Sequence, residues 1–255
     1  MFIEERKNKI VEYINNADKA KIEDVMSLLK ISRTTARRDL IDLEKKNLIL
    51  RTRGGLVKKQ YFKYEFSLNE KKDLYIEKKN KIAKIAKEYI NDGDVIYISG
   101  GTTTLELARI LYDKKNLLVF TNAINIALEL MNNSNINIKI VGGYFREKTY
   151  SMVGQDAMDY ISKYNFDKIF LGVNGITNEI LTTPNELESV VDAKAVEKSK
   201  EVYVLADETK FGSIAYSTIC KIDDINYIIT NTKPDSKFLE EVSKKGITVL
   251  YNNKY

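Results

Sequence analysis

The chain has 255 residues, 44% of them hydrophobic, which fits one large domain or a small domain beside a medium one. It has no histidine and one cysteine, Cys220, which excludes His-based triads, His metal ligands, His general bases and an internal disulfide. The basic excess is local: residues 1–60 hold 15 Lys+Arg and 9 Asp+Glu, a net +6, while the rest hold 26 and 27. Basic surface on one small domain points to an acidic polymer, chiefly nucleic acid.

The start, Met1 to Lys7, lacks an apolar segment behind a basic run, so no signal peptide is read there. With no apolar run of membrane-spanning length, a cytoplasmic protein is expected. Ile3, Ile10, Val11 and Ile14 predict an amphipathic first helix, broken at Asn15-Asn16-Ala17-Asp18. Ile22, Val25, Leu28 and Leu29 predict a short second helix. Ser32 is an N-cap candidate for a third, in which Leu40 and Leu43 face a core while Arg33, Thr34, Arg37 and Arg38 lie opposite. Two helices joined by a short turn, the second opening on hydroxyl and Arg side chains, form a helix-turn-helix pattern. Asn47 to Val57 then reads as two short strands about an Arg/Gly turn, a wing whose Arg51 and Arg53 reach phosphates or a minor groove. The bland alternative is a three-helix peptide-binding module with a solvated basic face. It does not account for the helix spacing, hydroxyl-rich start, paired arginines and wing occurring in order.

This stretch resembles the DeoR family of bacterial repressors, whose recognition helix runs Ser-x-x-Thr-x-Arg-Arg-Asp-Leu before an Arg-x-x-Gly-Gly wing. Here those are Ser32 to Leu40 and Arg51-Thr52-Arg53-Gly54-Gly55, with Arg53 where a histidine is common in the family. The resemblance covers nearly the whole chain. Thr34, Thr35, Arg37 and Arg38 are candidates near base edges; Ser32, Arg33, Lys45, Lys46, Arg51, Arg53 and Gly54 complete the expected DNA surface.

Lys58 to Lys72, polar and aromatic without Gly or Pro, reads as a linker between a DNA-binding domain over 1–57 and an effector domain over 73–255. A helix carrying Ile76, Ile82, Ile85, Ala86 and Ile90 follows, closing at Asn91-Asp92-Gly93. Strands and helices then alternate, with strands near 95–98, 117–121, 136–141, 168–173, 202–206, 227–230 and 247–250. The helices between them are expected near 123–131, 157–163, 186–198 and 238–244. This pattern predicts an α/β domain built on an open, mostly parallel sheet, with ligands at the carboxyl ends of its strands.

Small and donor residues collect at those ends. At Ser99-Gly100-Gly101-Thr102-Thr103-Thr104 a β-branched run stops, glycines turn the chain, and threonines open a helix. Glycines admit a ligand to backbone N–H groups, and the helix start favours an anion such as a phosphate or carboxylate. Taken alone, this is equally an ordinary strand-to-helix turn with a Thr cap. Thr121-Asn122, Gly142-Gly143, Asn174-Gly175 and Asp207 to Lys210 share the expected edge. There Lys210 would meet a phosphate and Asp207 sugar hydroxyls, unless the two form a plain salt bridge.

The domain is similar to the DeoR effector domain, which shares its fold with ribose-phosphate isomerases and senses phosphorylated sugars. The resemblance implies effector contacts from Gly100, Gly101, Thr102, Thr103, Thr104, Thr121, Asn122, Gly143, Asn174, Gly175, Glu188, Asp207 and Lys210. The isomerases carry Asp-Gly-Ala-Asp-Glu where this chain has Leu171-Gly172-Val173-Asn174-Gly175, so those acids are gone. Glu188 matches the isomerase base, and Asp192 stands where the family often has a basic residue. One glutamate without acidic partners or histidine is a thin outfit for proton abstraction. The expectation is therefore a sugar-phosphate-controlled transcriptional regulator, a repressor by family, acting as a homodimer or homotetramer without cofactor, metal or membrane partner. The competing class is a sugar-phosphate isomerase with an accessory DNA-binding domain.

Overall fold

The computed structural model describes residues 3–17, 19–45, 49–52, 55–58 and 65–251; the side chains of 4, 15–17, 19, 45, 50–52 and 55–58 fall outside the description. The chain divides into two compact units, 1–60 and 61–255.

In the first unit, α1 (Ile3–Ala17), β1 (Lys19–Ala20), α2 (Ile22–Leu29) and α3 (Arg33–Lys45) precede β2 (Ile49–Thr52) and β3 (Gly55–Lys58). Helix α1 runs through the Asn15-Asn16-Ala17 stretch expected to break it. The expected wing is the antiparallel pair β2–β3, and β1 adds a third strand alongside β3. The α2–α3 turn is made by Lys30, whose left-handed backbone (φ 50°) sends its N–H to Met26 O. Ile10, Ile14, Val25, Ala36, Leu40, Leu43 and Ile49 form one buried cluster. All three helices therefore owe their position to one apolar stripe each.

The second unit opens with α4 (Leu68–Lys71) and α5 (Ile76–Glu88). Then come β4 (Val95–Ile98), α6 (Thr102–Arg109), β5 (Leu117–Thr121), α7 (Ile124–Leu130) and β6 (Ile136–Ile140). After β7 (Tyr144–Arg146), β8 (Ser151–Val153) and α8 (Gln155–Ser162) follow β9 (Phe166–Gly172), β10 (Gly175–Ile176) and β11 (Ile180–Thr183). The chain finishes with α9 (Glu186–Glu197), β12 (Ser199–Leu205), β13 (Ser217–Lys221), β14 (Tyr227–Ile229), α10 (Ser236–Lys244) and β15 (Thr248–Leu250).

Seven strands form one sheet in the order β15-β14-β12-β9-β4-β5-β6, every pairing parallel. Alternate side chains build two cores. Ile96 and Ile98 join Ile82, Ala86, Leu107 and Ile126 on one face; Tyr97, Leu171 and Val204 join Ala157, Val191 and Val242 on the other. Burial on both faces is why these strands read as near-continuous apolar runs. The chain leaves β4 toward β6, then returns to β9 on the opposite side and continues outward. The order thus reverses between β4 and β9, where parallel α/β sheets open a crevice at their carboxyl ends.

Two features depart from expectation. Short antiparallel pieces, the β7–β8 hairpin and the β10-β11-β13 sheet, interrupt the α/β alternation. The expected 58–72 linker is also too long at both ends. Lys58 lies in β3, and residues 65–72 are built onto the larger unit. Ser67 and Glu70 close a capping box on α4, Leu68 is buried, and Leu68 N–H donates to Lys148 O at 2.9 Å.

Candidate functional site

On α3, Ser32 Oγ accepts the Thr35 N–H at 3.2 Å and lies 3.0 Å from Thr35 Oγ1, so Ser32 caps the helix and holds half-buried Thr35. Ala36, Leu40 and Leu43 point into the core, which leaves Arg33, Thr34, Arg37 and Arg38 exposed along one face. Arg33 reaches only loosely to Glu23, at 3.5 Å. Asp39, inside the Arg-Arg-Asp-Leu run, is buried instead and takes Arg6 Nε at 2.5 Å and Nη2 at 3.0 Å. That fork pins α3 to α1 and so fixes which face the arginines present. Lys46, Arg53 and Gly54 lie outside the described residues, as do the side chains of Lys45 and Arg51.

In the larger unit the strand ends converge as expected, but their side chains divide into two groups. The first group builds the edge. Asn122 Oδ1 accepts the Gly100 N–H at 3.1 Å and its Nδ2 donates to Met152 O at 3.2 Å. Thr121 Oγ1 accepts the Ala123 N–H at 3.1 Å. Thr104 is fully buried, donates to Gly101 O at 3.1 Å and packs its methyl 3.7 Å from where a Gly172 Cβ would stand. Gly143 has φ +134° and Val153 O would lie 2.6 Å from a Cβ there. At Gly175, Ser213 O would lie 2.3 Å from a Cβ, so only glycine fits.

The second group stands at the start of α6 and just past the ends of β9 and β12. Thr102 is buried and Thr103 half-buried at the start of α6, where first-turn amides lack helical acceptors. Asn174 Oδ1 takes the Thr183 hydroxyl at 3.4 Å. Asp207 is buried and spends Oδ1 on the Thr209 N–H (2.8 Å) and hydroxyl (2.5 Å), while Lys210 Nζ stands 3.9 Å from its Oδ2. Burial pulls the Asp207 carboxyl upward, but Lys210, Thr209 and Lys78 outweigh it, and its pKa lies below the ordinary value. Asp207 is thus mainly a turn anchor that keeps Lys210 at the edge.

Glu188, in the first turn of α9, receives three donors on Oε1: Arg146 Nη1 at 2.5 Å, Thr149 Oγ1 at 2.5 Å and Ser151 Oγ at 2.9 Å. One turn deeper, Asp192 is buried, and burial followed by Glu188 pushes its pKa well above the ordinary carboxylate range. Burial therefore disfavours the charged form of this carboxyl.

Two lysines of this edge are not singled out by the sequence pattern. Lys79, in the first turn of α5, is buried, donates to Lys71 O at 2.6 Å and Lys72 O at 3.5 Å, and makes no ion pair among the described residues. Burial first, then repulsion from Lys210, push its pKa down to about 8, with Asp207 opposing. Lys71 feels the charges of Glu188 and Lys210, and its pKa is lowered chiefly by burial. The signal for Lys79 is its register: it shares the stripe of Ile82, Ala83 and Ala86 on α5.

Residues 6–60 match the model of the DeoR-like helix-turn-helix domain, and residues 75–232 match that of the DeoR C terminal sensor domain. The chain belongs to the DeoR family. It is 35% identical over 247 residues to the HTH-type transcriptional regulator GlpR of Haloferax volcanii, covering 96% of each chain. It is 32% identical over 250 residues to the HTH-type transcriptional repressor GlcR of Bacillus subtilis, covering 98% of this chain and 96% of that one. Among solved structures, a D-ribose-5-phosphate isomerase in complex with phospho-erythronic acid aligns over 53% of this chain and 54% of its own, with TM-score 0.40 and 19% identity. This DeoR-family chain is accordingly a DNA-binding transcriptional regulator rather than an enzyme. No helix among its described residues is long and apolar enough to cross a membrane.

Proposed function

We propose that this regulator represses a sugar-metabolism operon and that a phosphorylated sugar, bound at the carboxyl edge between β4 and β9, changes its operator affinity. The buried Lys79 ammonium carries the reading: it meets backbone carbonyls and a second lysine at the edge, with no carboxylate bonded to it among the described residues. A phosphate supplies the missing negative charge, and the opening of α6 supplies amides from Gly101, Thr102 and Thr103. Lys210 and Lys71 flank the same position, while Asn174 and Glu188 Oε2 face the sugar hydroxyls.

On the DNA side, Arg37, Arg38 and Thr34 read base edges and Arg33 holds phosphate. Helix-turn-helix domains bind two-fold sites in pairs, so the working unit is a homodimer or a pair of them. The test is a gel-shift on the DNA upstream of the protein's own reading frame, with ribose, glucose and fructose monophosphates added singly. Salt-sensitive binding that one of them alters supports the proposal. Binding that none of them alters, with no heat-stability shift of the protein, refutes the effector assignment.

A further inference from the structure

The segment that enters the larger unit is anchored on the side chains that line its edge. Glu65 is the first described residue after 59–64, and it forms a two-pronged pair with Arg146: Nη1 to Oε1 at 2.9 Å and Nη2 to Oε2 at 2.7 Å. The same Arg146 Nη1 reaches Glu188 Oε1 at 2.5 Å. Both partners of the outer pair are 12% exposed, so the bridge is largely shielded from solvent. Three residues on, Leu68 N–H is held by Lys148 O, on the turn between β7 and β8. At the far end of α4, the Lys71 and Lys72 carbonyls are held by Lys79 Nζ. The Lys71 side chain lies in the fields of Glu188, Glu65 and Lys210.

We infer that Glu65–Lys72 is the transmission segment of this regulator, with Arg146 as the clamp that couples Glu65 to Glu188. This rests on the effector reading above. A ligand shifts an equilibrium only by interacting differently with its two states. Here such a difference can arise because Arg146 bonds both Glu65 and Glu188, and Lys79 holds the end of α4 within the field of Lys210. A sugar phosphate that draws on Lys79, or whose hydroxyls draw on Glu188, changes how firmly α4 and Glu65 are held. The Arg146 fork matters because two parallel bonds fix Glu65 in direction as well as distance, which a single lysine contact would not. Glu65 is a positioning residue and touches no ligand in this scheme.

The experiment uses the full chain and the DNA upstream of its own reading frame, with whichever of ribose, glucose or fructose monophosphate stabilises the wild type to heat. For Glu65→Gln, the sugar-phosphate Kd is expected to stay within about threefold of wild type. The ratio of operator Kd values with and without sugar phosphate is expected to fall by about tenfold or to near one, within the usual range of allosteric coupling. Glu65→Asp, which keeps a carboxylate, should restore part of the ratio. A Glu65→Gln ratio equal to wild type overturns the inference while leaving the effector reading intact. If the wild type binds none of the three sugars, both fall together. Hydrogen exchange on the wild type gives a readout that needs no variant. The Leu68, Lys71 and Lys72 amides should change rate on adding the sugar phosphate, and unchanged rates overturn the clamp.

Discussion

Lys79→Met isolates the cost of keeping a buried cation for a ligand. The ammonium is buried against α4 with its pKa pushed down from 10.5 to about 8. A folded-state pKa below the unfolded one means the unfolded chain binds more protons between those values, so wild-type stability rises with pH there. At pH 7 both states are mostly protonated. The burden on the fold is then about 3 kcal/mol, since lowering a pKa by one costs the charged form about 1.4 kcal/mol. Methionine fills similar space without charge but leaves the Lys71 and Lys72 carbonyls short of a donor, returning about 1–2 kcal/mol. The variant should therefore exceed wild type by about 1–2 kcal/mol near pH 7, and this difference should shift by about 2 kcal/mol, leaving the variant level with or below wild type, by about pH 9.5. Urea unfolding followed by circular dichroism at several pH values measures it. In parallel, calorimetric titration should show sugar-phosphate affinity lowered by at least about tenfold, the loss of one charge-assisted contact. A stability difference flat with pH refutes the reasoning, because Lys79 would then titrate like an exposed lysine.

Three further outcomes are expected. Arg37→Ala should lose about 1–3 kcal/mol of operator binding in gel-shift titrations and relax base preference at one position; binding as tight as wild type sinks the assignment of the reading face. Thr103→Ala keeps the amide but removes the hydroxyl that we propose donates to the phosphate beside it, and should weaken the sugar-phosphate response by roughly tenfold, the worth of a hydrogen bond to a charged group, while operator binding without sugar is unchanged. Asp39→Ala strands the Arg6 guanidinium against α3, so thermal unfolding of the DNA-binding unit should report a loss of about 3 kcal/mol, and a loss under about 1 would mean the fork is solvated.

The parallel sheet and its loaded edge are legible in the sequence because strands buried on both faces announce themselves as apolar runs ending in glycine, threonine and asparagine. The recognition helix is legible for the complementary reason, an apolar stripe at Ala36, Leu40 and Leu43 facing away from arginines. The small antiparallel pieces are not. Strands β7, β8 and β10 are two or three residues long, and stretches so short carry no period that separates a strand from a turn. The segment 65–72 reads as linker for another reason: its anchors, Arg146, Lys148 and Lys79, are distant in sequence or look like surface charge.

Polar residues at strand ends invite two different roles, and the structure distributes them by burial and bonding. Asn122, Thr121 and Thr104 spend their polar atoms on backbone groups, so they set where Gly100 and Gly101 sit. In the proposed pocket, recognition then falls mostly to charge carried on elements next to the sheet: Lys79 on α5, Lys71 on α4 and Glu188 on α9. This division has a physical basis. A loop of small residues admits a ligand closely but supplies little charge of its own, and a charge is held in place best on a helix packed against the sheet. A charged residue standing in the apolar stripe of a helix beside such an edge is therefore the signal to read next to the glycines. Lys79 on α5 fits that pattern, whereas Asp39 on α3, in the other unit, also stands in an apolar stripe but is spent on Arg6.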